Sequence, residues 1–215
     1  MRQTVIFDLD GTLLDTLDDL TFAVNYALER NGLPRRTKPE IRSFVGNGAY
    51  TLIQRSIGER NVDVHSVFLQ FKDYYKEHCN DYTKVYEGVI PLLKTLKEKG
   101  IQTCIVSNKP DAQVKRLSDL YFKEFISLAL GENEEQGLKK KPAPDGLLFA
   151  MRTVGANPKS TLYVGDSEVD IQTAKNANLP CVSVTWGFKD KEFLIANGGE
   201  IFIDTPNQLL TLLKE

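Results

Sequence analysis

The sequence has too few cysteines, too little net charge and too short apolar runs for several classes of protein. Its three cysteines, Cys79, Cys104 and Cys181, are far apart and not at metal-ligand spacing, which predicts reduced thiols and no disulfide framework. Lys and Arg number 27 against 29 Asp and Glu, a balance that argues against a general polyanion binder. No apolar stretch approaches membrane-spanning length, and Asp8 and Asp10 come too early for the apolar core of a signal peptide. We therefore expect a soluble, cytoplasmic protein that binds neither nucleic acid nor a membrane.

What the sequence does contain is an alternation of apolar strand patterns and amphipathic helix patterns. From residue 89 onward, strands and helices alternate, which predicts a parallel sheet with helices on both faces. Helix patterns with no convincing strand between them fill about residues 17–85 and interrupt this scheme just after the first strand. The predicted fold is α/β: a Rossmann-like, doubly wound parallel sheet core (residues 1–15 and 86–215) with an inserted all-helical domain (residues 16–85). The predicted strands are 4–9, 101–106, 125–130, 161–164, 181–184 and 199–202; the predicted helices are 16–31, 39–44, 49–57, 64–78, 89–99, 111–120, 144–154, 168–176 and 206–213.

Polar residues follow three of the predicted strands at the ends where sheets of this kind bind their ligands. Two carboxylates placed close together repel each other unless a positive charge lies beside them. Carboxylate oxygens are ligands for Mg²⁺, and helix N-termini are suited to phosphate. The sequence therefore predicts a Mg²⁺ ion and a bound phosphate at this edge, with a lysine as the second positive charge. The residues concerned are Asp8 and Asp10 after the first strand, Ser107, Asn108 and Lys109 after strand 101–106, Asp166 and Asp170 after strand 161–164, and Lys141 ahead of helix 144–154.

Each of these motifs also has a purely structural interpretation. Asp10-Gly11 is a common turn pair, and Ser107-Asn108 is a common start of a helix. Lys141 ends a run of three lysines of the kind usually found in a solvated loop, and a helix-surface aspartate such as Asp170 is commonplace. Because the motifs occur together and in order, we assign function to Lys141 and solvent exposure to the two lysines before it.

The order and spacing of these motifs resemble those of the haloacid dehalogenase superfamily, and the helical insertion is similar to the superfamily's cap. Further segments resemble the phosphoglycolate phosphatase group within that superfamily. The superfamily motifs are Asp8-Leu9-Asp10-Gly11-Thr12-Leu13, Ser107-Asn108-Lys109, Lys141-Pro142 and Gly165-Asp166-Ser167-Glu168-Val169-Asp170; the group segments are Asp15-Thr16-Leu17, Val45-Gly46-Asn47-Gly48 and Lys141-Pro142-Ala143-Pro144.

The resemblance implies a Mg²⁺-dependent phosphatase that hydrolyses a small phosphate monoester through an aspartyl-phosphate. Asp8 would be the nucleophile, and Asp10 the general acid and base, with its main-chain carbonyl on the metal. Asp8, Asp10 and Asp166 would be the metal ligands, and Lys141 would neutralise charge beside the ion. Asp170 would hold Lys141 or a metal-bound water from behind.

The same resemblance implies where the substrate binds. Thr12, Ser107 and the Asn108 amide would hold the phosphoryl group, and the most favoured substrate is 2-phosphoglycolate, a small phosphorylated metabolite. Its carboxylate needs a further donor, and the candidates are Lys109, Arg42, Arg55 and the loop residues Gly46, Asn47 and Gly48.

Other functions stay open at this point. A hexose-phosphate mutase, a pyrophosphatase or a nucleotidase would use the same phosphate site, because that site does not distinguish leaving groups. A catalytically silent binding protein on the same scaffold is a more distant alternative. A dinucleotide-binding domain is disfavoured, because the turn after the first strand lacks the glycine triplet and carries negative charge where a pyrophosphate would bind. The sequence leaves the oligomeric state open, either monomer or homodimer.

Overall fold

The computed structural model describes residues 3–133 and 137–213, so the outer ends of the predicted core at residues 1 and 215 lie outside the described residues. None of the helices in these two ranges is long and apolar enough to cross a lipid bilayer. The strands are β1 (Thr4–Phe7), β2 (Leu14–Asp15), β3 (Lys84–Val85), β4 (Gln102–Pro110), β5 (Leu128–Glu132), β6 (Thr161–Gly165), β7 (Cys181–Val184) and β8 (Ile201–Ile203). The helices are α1 (Leu17–Arg30), α2 (Lys38–Phe44), α3 (Ala49–Ile57), α4 (Val64–His78), α5 (Val89–Glu98), α6 (Asp111–Phe122), α7 (Asp145–Val154), α8 (Glu168–Asn176), α9 (Lys191–Ala196) and α10 (Leu209–Leu212), with 3₁₀ turns at Pro158–Ser160 and Pro206–Gln208.

The main sheet has the order β5-β4-β1-β6-β7-β8, and every neighbouring pair is parallel. β1 lies in the middle, and its residues pack alternately into two apolar clusters. Val5 and Phe7 join the cluster on one face of the sheet, whereas Ile6 joins the cluster on the other face with Leu147 of α7. A strand buried on both faces needs apolar residues at every position, which explains its non-alternating sequence. The predicted fold class is confirmed.

The helices α1 to α4 share an apolar cluster of their own. Its buried members come from residues 17–79, with one addition from the far end of the chain, Phe188. The short strands β2 and β3 pair antiparallel, so that Leu14 lies opposite Val85 where the helical segment leaves and rejoins the rest of the chain. Buried Asp19 at the start of α1 strengthens this junction, since its carboxylate accepts hydrogen bonds from the amides of Tyr82 and Thr83 at 2.9 Å each. The division into domains at residues 15/16 and 85/86 stays a prediction.

Four details of the predicted secondary structure are wrong. The strand predicted at 101–106 continues to Pro110, so Ser107, Asn108 and Lys109 lie within β4 and not after it. The predictions omit β2 and β3, which are only two residues long and depend on pairing across about seventy residues of sequence. They also omit α9, where only Leu194 is buried, so that no apolar repeat marks the helix. Finally, β5 begins at Leu128 and not at residue 125, because the amides of Phe125 and Ile126 both bond the carbonyl of Phe122 at the end of α6.

Candidate active site

A small cavity lies between the carboxyl ends of β1, β4 and β6 and the helices α1, α3 and α4. It encloses about 50 Å³, room for only a few water molecules. Its position follows from the strand order, because β4 and β6 flank β1, so that the last residues of β4 meet the residues that follow β1 and β6. Eight of the predicted site residues line it: Asp8, Asp10, Gly46, Gly48, Ser107, Asn108, Lys109 and Asp166.

Behind the cavity wall, Lys141 is buried in contact with two carboxylates. Its ammonium lies 3.0 Å from Asp8 Oδ1 and 2.7 Å from Asp170 Oδ1. It also donates to the hydroxyl of Tyr163 at 3.0 Å, and that hydroxyl donates to Asp170 at 2.7 Å. Asp170 is fully buried at the start of α8, where its carboxylate accepts a hydrogen bond from the amide of Ser167. It is therefore not an ordinary aspartate on the surface of a helix.

The carboxylates of Asp8, Asp166 and Asp170 form a buried group whose oxygens lie within 4.8 Å of one another. Burial raises the pKa of Asp8 to about 7, with Lys141 acting in the opposite direction. Burial, together with the charges of Asp170 and Asp8, raises the pKa of Asp166 well above its ordinary value. Burial also acts to raise the pKa of Asp170, but the adjacent Lys141 ammonium and the hydrogen bonds from Ser167 and Tyr163 hold it below the ordinary value.

The charges of this group fit a divalent cation. Three ionised carboxylates face one ammonium, Lys141, so the group carries two negative charges in excess when every member is ionised. An uncompensated charge is unfavourable in a buried site. The effect is seen at Asp166, whose raised pKa means that burial and the neighbouring carboxylates disfavour its charged form. A hard cation with oxygen ligands would balance the excess charge, and Mg²⁺ is such an ion.

Asp10 has a different set of partners from Asp8. Its Oδ1 accepts hydrogen bonds from Lys109 Nζ at 2.9 Å and from Thr16 Oγ1 at 2.7 Å. Lys109 also donates to the hydroxyl of Tyr75, and its ammonium lies 4.7 Å from the centre of that ring. Tyr75 belongs to α4, so Lys109 joins the core strand β4 to the helical segment through one buried ammonium.

Asn108 ties three parts of the site together. Its side-chain Oδ1 accepts from the amide of Lys141 at 2.7 Å, and its Nδ2 donates to the Lys141 carbonyl at 2.9 Å. Nδ2 also donates to the carbonyl of Gly46, at 3.1 Å, in the loop before α3. The side chain therefore fixes the backbone of the buried lysine and brings the Gly46 loop onto the cavity.

Gly11 is required by the closeness of the acidic group. Its φ of +82° lies in the left-handed region, and a Cβ at this position would lie 2.2 Å from Asp166 Oδ2. No other residue type fits without displacing Asp166.

Besides Lys141 and Asp170, two further predicted site residues do not line the cavity. Thr12 borders a separate small cavity with Leu13 and Trp186, and its buried hydroxyl has no hydrogen-bond partner among residues 3–133 and 137–213. Asn47 lies between two lining glycines, yet its own Oδ1 is buried and likewise unpaired within those ranges. Their roles toward a substrate stay predictions. Arg42 and Arg55 are also absent from the lining, and both bond main-chain carbonyls, those of Gly187 and Phe44.

The sequence predictions missed the loop that follows β7. The amide of Phe188 donates to Asp166 Oδ2 at 2.6 Å, and Lys189 lines the cavity with an ammonium that donates to the Ser43 carbonyl at 2.8 Å. Burial lowers the pKa of Lys189 from its ordinary value, against the opposing charges of Glu168 and Asp166. The signal was present, because these residues follow a predicted parallel strand at the same edge as the other motifs.

Strongly perturbed carboxylates grouped in a cavity at the strand ends are typical of an enzyme active site. The fold and the site together define an α/β enzyme whose acidic centre is covered by a helical segment.

Comparison with known proteins narrows this class. The profile of a family described as haloacid dehalogenase-like hydrolase matches residues 5–184. The phosphoglycolate phosphatase of Pseudomonas putida is 36% identical over 218 residues, which span 98% of this chain and 79% of that protein. The Haemophilus influenzae protein of the same name is 33% identical over 217 residues, 96% of each chain. A crystal structure of a protein from Lactobacillus delbrueckii subsp. bulgaricus superimposes with a TM-score of 0.93 at 34% identity, covering 99% of each chain. The chain belongs to the haloacid dehalogenase-like hydrolase family, and the predicted family, fold class and enzyme class are confirmed.

Proposed function

We propose that this hydrolase is a Mg²⁺-dependent phosphatase that acts on a small phosphate monoester, with 2-phosphoglycolate as its preferred substrate. The observation that carries the proposal is the buried group of Asp8, Asp166 and Asp170, which has two negative charges in excess when fully ionised. Two of its members, Asp8 and Asp166, line one cavity together with Ser107 and Asn108 at the end of β4. The similarity to proteins named phosphoglycolate phosphatase, at 31–36% identity over nearly the whole chain, supports the choice of substrate.

In the proposed mechanism, a carboxylate oxygen of Asp8 attacks phosphorus, and the bond from phosphorus to the ester oxygen breaks. Asp10 gives a proton to the departing alkoxide oxygen. Asp10 then removes a proton from a water molecule, which attacks the phosphorus of the aspartyl-phosphate, releases phosphate and restores Asp8. Lys109 and Thr16 hold Asp10 through the same oxygen, Oδ1, and so orient its carboxyl group for these transfers.

Asp8, Asp166 and the main-chain carbonyl of Asp10 would hold the Mg²⁺ ion. When bound, the ion neutralises the negative charge that a carboxylate and a phosphate dianion bring together. Lys141 would neutralise charge on Asp8, whose Oδ1 lies 3.0 Å from its ammonium, and Asp170 positions Lys141 from behind at 2.7 Å.

The Ser107 hydroxyl and the Asn108 amide would hold the transferring phosphoryl group, since both residues line the cavity next to Asp8. Thr12 is proposed for the same role; its hydroxyl is buried and has no hydrogen-bond partner among the described residues, although Thr12 borders the separate cavity beside Trp186. The amides of the loop Gly46, Asn47 and Gly48 and the remaining N–H of Lys109 would face the rest of the substrate.

The size of the cavity supports a small substrate. The cavity is small and is covered by α1, α3 and α4, so esters as bulky as a sugar or nucleoside phosphate require the helical segment to move away. The experiment is a comparison of kcat/KM for 2-phosphoglycolate, β-glucose 1-phosphate, nucleoside monophosphates and pyrophosphate, each with Mg²⁺. We expect 2-phosphoglycolate to exceed the others. A higher value for any of the others would remove the assignment of substrate and leave that of a phosphatase.

A further inference from the structure

Lys189 is a buried cation in the active-site cavity to which the proposed mechanism gives no task. It lies in the loop between β7 and α9, it is only 9% exposed, and it lines the same cavity as Asp8 and Asp10. An ammonium has three N–H donors. Among the described residues its ammonium donates one hydrogen bond, to the carbonyl of Ser43 at 2.8 Å, and it also lies 5.7 Å from the centre of the Phe193 ring.

The other two lysines at the candidate active site are already paired with carboxylates. Lys141 contacts Asp8 and Asp170, and Lys109 contacts Asp10. Within residues 3–133 and 137–213, Lys189 is thus the cavity-lining lysine with no carboxylate within 4.0 Å. A buried ammonium without a negative partner is costly, and an anionic ligand would relieve that cost.

The position of Lys189 is fixed relative to the acidic group. Phe188, the preceding residue, donates its amide to Asp166 and buries its ring among the side chains of α1 to α4. Gly187 allows this close approach, because a Cβ there would lie 2.3 Å from Asp166 Cβ. Lys189 is therefore held beside the reacting centre by the same loop that supports Asp166.

We infer that Lys189 binds the carboxylate of the substrate's leaving group and so selects phosphate esters that carry a carboxylate near the phosphate. This inference rests on the proposed phosphatase function. It assigns the carboxylate to Lys189 in preference to Arg42, which bonds Gly187 and Asp190 and lies outside the cavity lining.

A purely structural role for Lys189 predicts different behaviour. The Ser43 carbonyl lies in the last turn of α2, where a cation stabilises the helix end. If Lys189 only holds α2 in place, its loss affects all substrates alike. If Lys189 binds a carboxylate, its replacement lowers kcat/KM mainly for esters that carry a carboxylate.

The test compares 2-phosphoglycolate with ethyl phosphate, in which a methyl group stands in place of the carboxylate. Steady-state kinetics are measured with Mg²⁺ for the wild type, Lys189→Met, Lys189→Arg and the control Lys191→Met, which alters an exposed lysine two residues away. For Lys189→Met we expect kcat/KM for 2-phosphoglycolate to fall about 10- to 100-fold, mainly through KM, as for the loss of a charged hydrogen bond. The loss with ethyl phosphate should be several times smaller, Lys189→Arg should recover part of the preference, and Lys191→Met should behave as the wild type.

An equal loss with both esters, or no loss with either, would overturn the role of Lys189 and leave the phosphatase assignment intact. The role of Lys189 would also be overturned, with the phosphatase assignment intact, if the wild type shows no preference for the carboxylated ester. A wild type that hydrolyses neither ester would overturn the proposed function and the inference with it. Thermal unfolding of each variant is measured alongside, so that a loss of folded protein is not mistaken for a loss of recognition.

Discussion

Replacing Lys141 by methionine should strongly destabilise the fold as well as abolish turnover. The ammonium is buried and lies within 3.0 Å of the carboxylates of Asp8 and Asp170, so its removal leaves two buried carboxylates without their shared partner. Breaking a buried ion pair from one side costs about 3–5 kcal/mol. For a chain of this length that corresponds to a fall in Tm of roughly 6–20 °C. The matched control is Lys139→Met, an exposed lysine in the same run, which should change the free energy of unfolding by no more than about 0.5 kcal/mol.

The loss of stability caused by Lys141→Met should depend on pH, and it should be largest near neutral pH. In the wild type the pKa of Asp170 is held below its ordinary value of 3.8, so its share of the stability is present above that pH and is lost as the pH falls through the lowered pKa. The pKa of Lys141 is raised above its ordinary value of 10.5, so its share is present throughout the neutral range and is lost only at strongly alkaline pH. Without Lys141, burial leaves Asp170 with a raised pKa, and acid then favours the folded variant. The difference between wild type and variant should therefore be largest near neutral pH and narrow toward pH 4.

Urea unfolding in the presence of EDTA measures these differences without a contribution from a bound metal. The double variant Lys141→Met/Asp170→Asn should lose less than the sum of the two single variants, by about 1–3 kcal/mol, because both members of the pair are then neutral. If Lys141→Met is as stable as Lys139→Met at neutral pH, the account of the buried charges is wrong.

Three further predictions concern the chemistry and the backbone. Asp8→Asn should show no measurable turnover because an amide cannot form the acyl-phosphate, whereas Asp10→Asn should bind substrate and lose about 10²–10⁴-fold in kcat; near-normal turnover by Asp8→Asn would exclude the covalent mechanism. EDTA should remove activity and Mg²⁺ should restore it, with Asp166→Ala raising the Mg²⁺ concentration needed for half-maximal rate; a full rate in EDTA would contradict the metal assignment. Gly11→Ala should be inactive, because its Cβ would lie 2.2 Å from Asp166 Oδ2, whereas Gly100→Ala has a similar positive φ of +68° but open space around it and should retain activity; equal activities of the two variants would contradict the packing argument.

The helices and strands whose limits are set by neighbouring residues could be predicted from the sequence. The bounds of α3 and α4 agree with the structure because glycines with positive φ flank α3 and Asp63 caps α4. β1 was predicted from apolar residues at successive positions, since both of its faces are buried. β2 and β3 could not be predicted in the same way, because their two-residue pairing exists only when the helical segment has folded and brought its ends together.

The residues of the candidate site also divide into those that a local motif predicts and those that depend on the folded structure. Lys141 could be separated from Lys139 and Lys140 only by its place in a motif, since the three lysines are chemically identical and burial distinguishes them in the structure. Lys109 was predicted to meet a substrate carboxylate, and in the structure two of its donors reach Asp10 and Tyr75. That pairing depends on α4 covering the core, which no local pattern indicates.

The two carboxylates that follow β1 illustrate why the arrangement works chemically. Asp8 and Asp10 are two residues apart, yet each is paired with a different lysine: Lys141 at 3.0 Å for Asp8 and Lys109 at 2.9 Å for Asp10. Separate partners allow two nearby carboxyl groups to take different roles, one as a nucleophile and the other as a carrier of protons. The lysines also differ in what they depend on, because Lys141 is held by the core through Asp170 whereas Lys109 is held in part by Tyr75 of α4. Movement of the helical segment would therefore disturb the partner of Asp10 and leave that of Asp8 in place. In the proposed mechanism, the proton transfers of Asp10 would then depend on cover by the helical segment, whereas the attack by Asp8 would not.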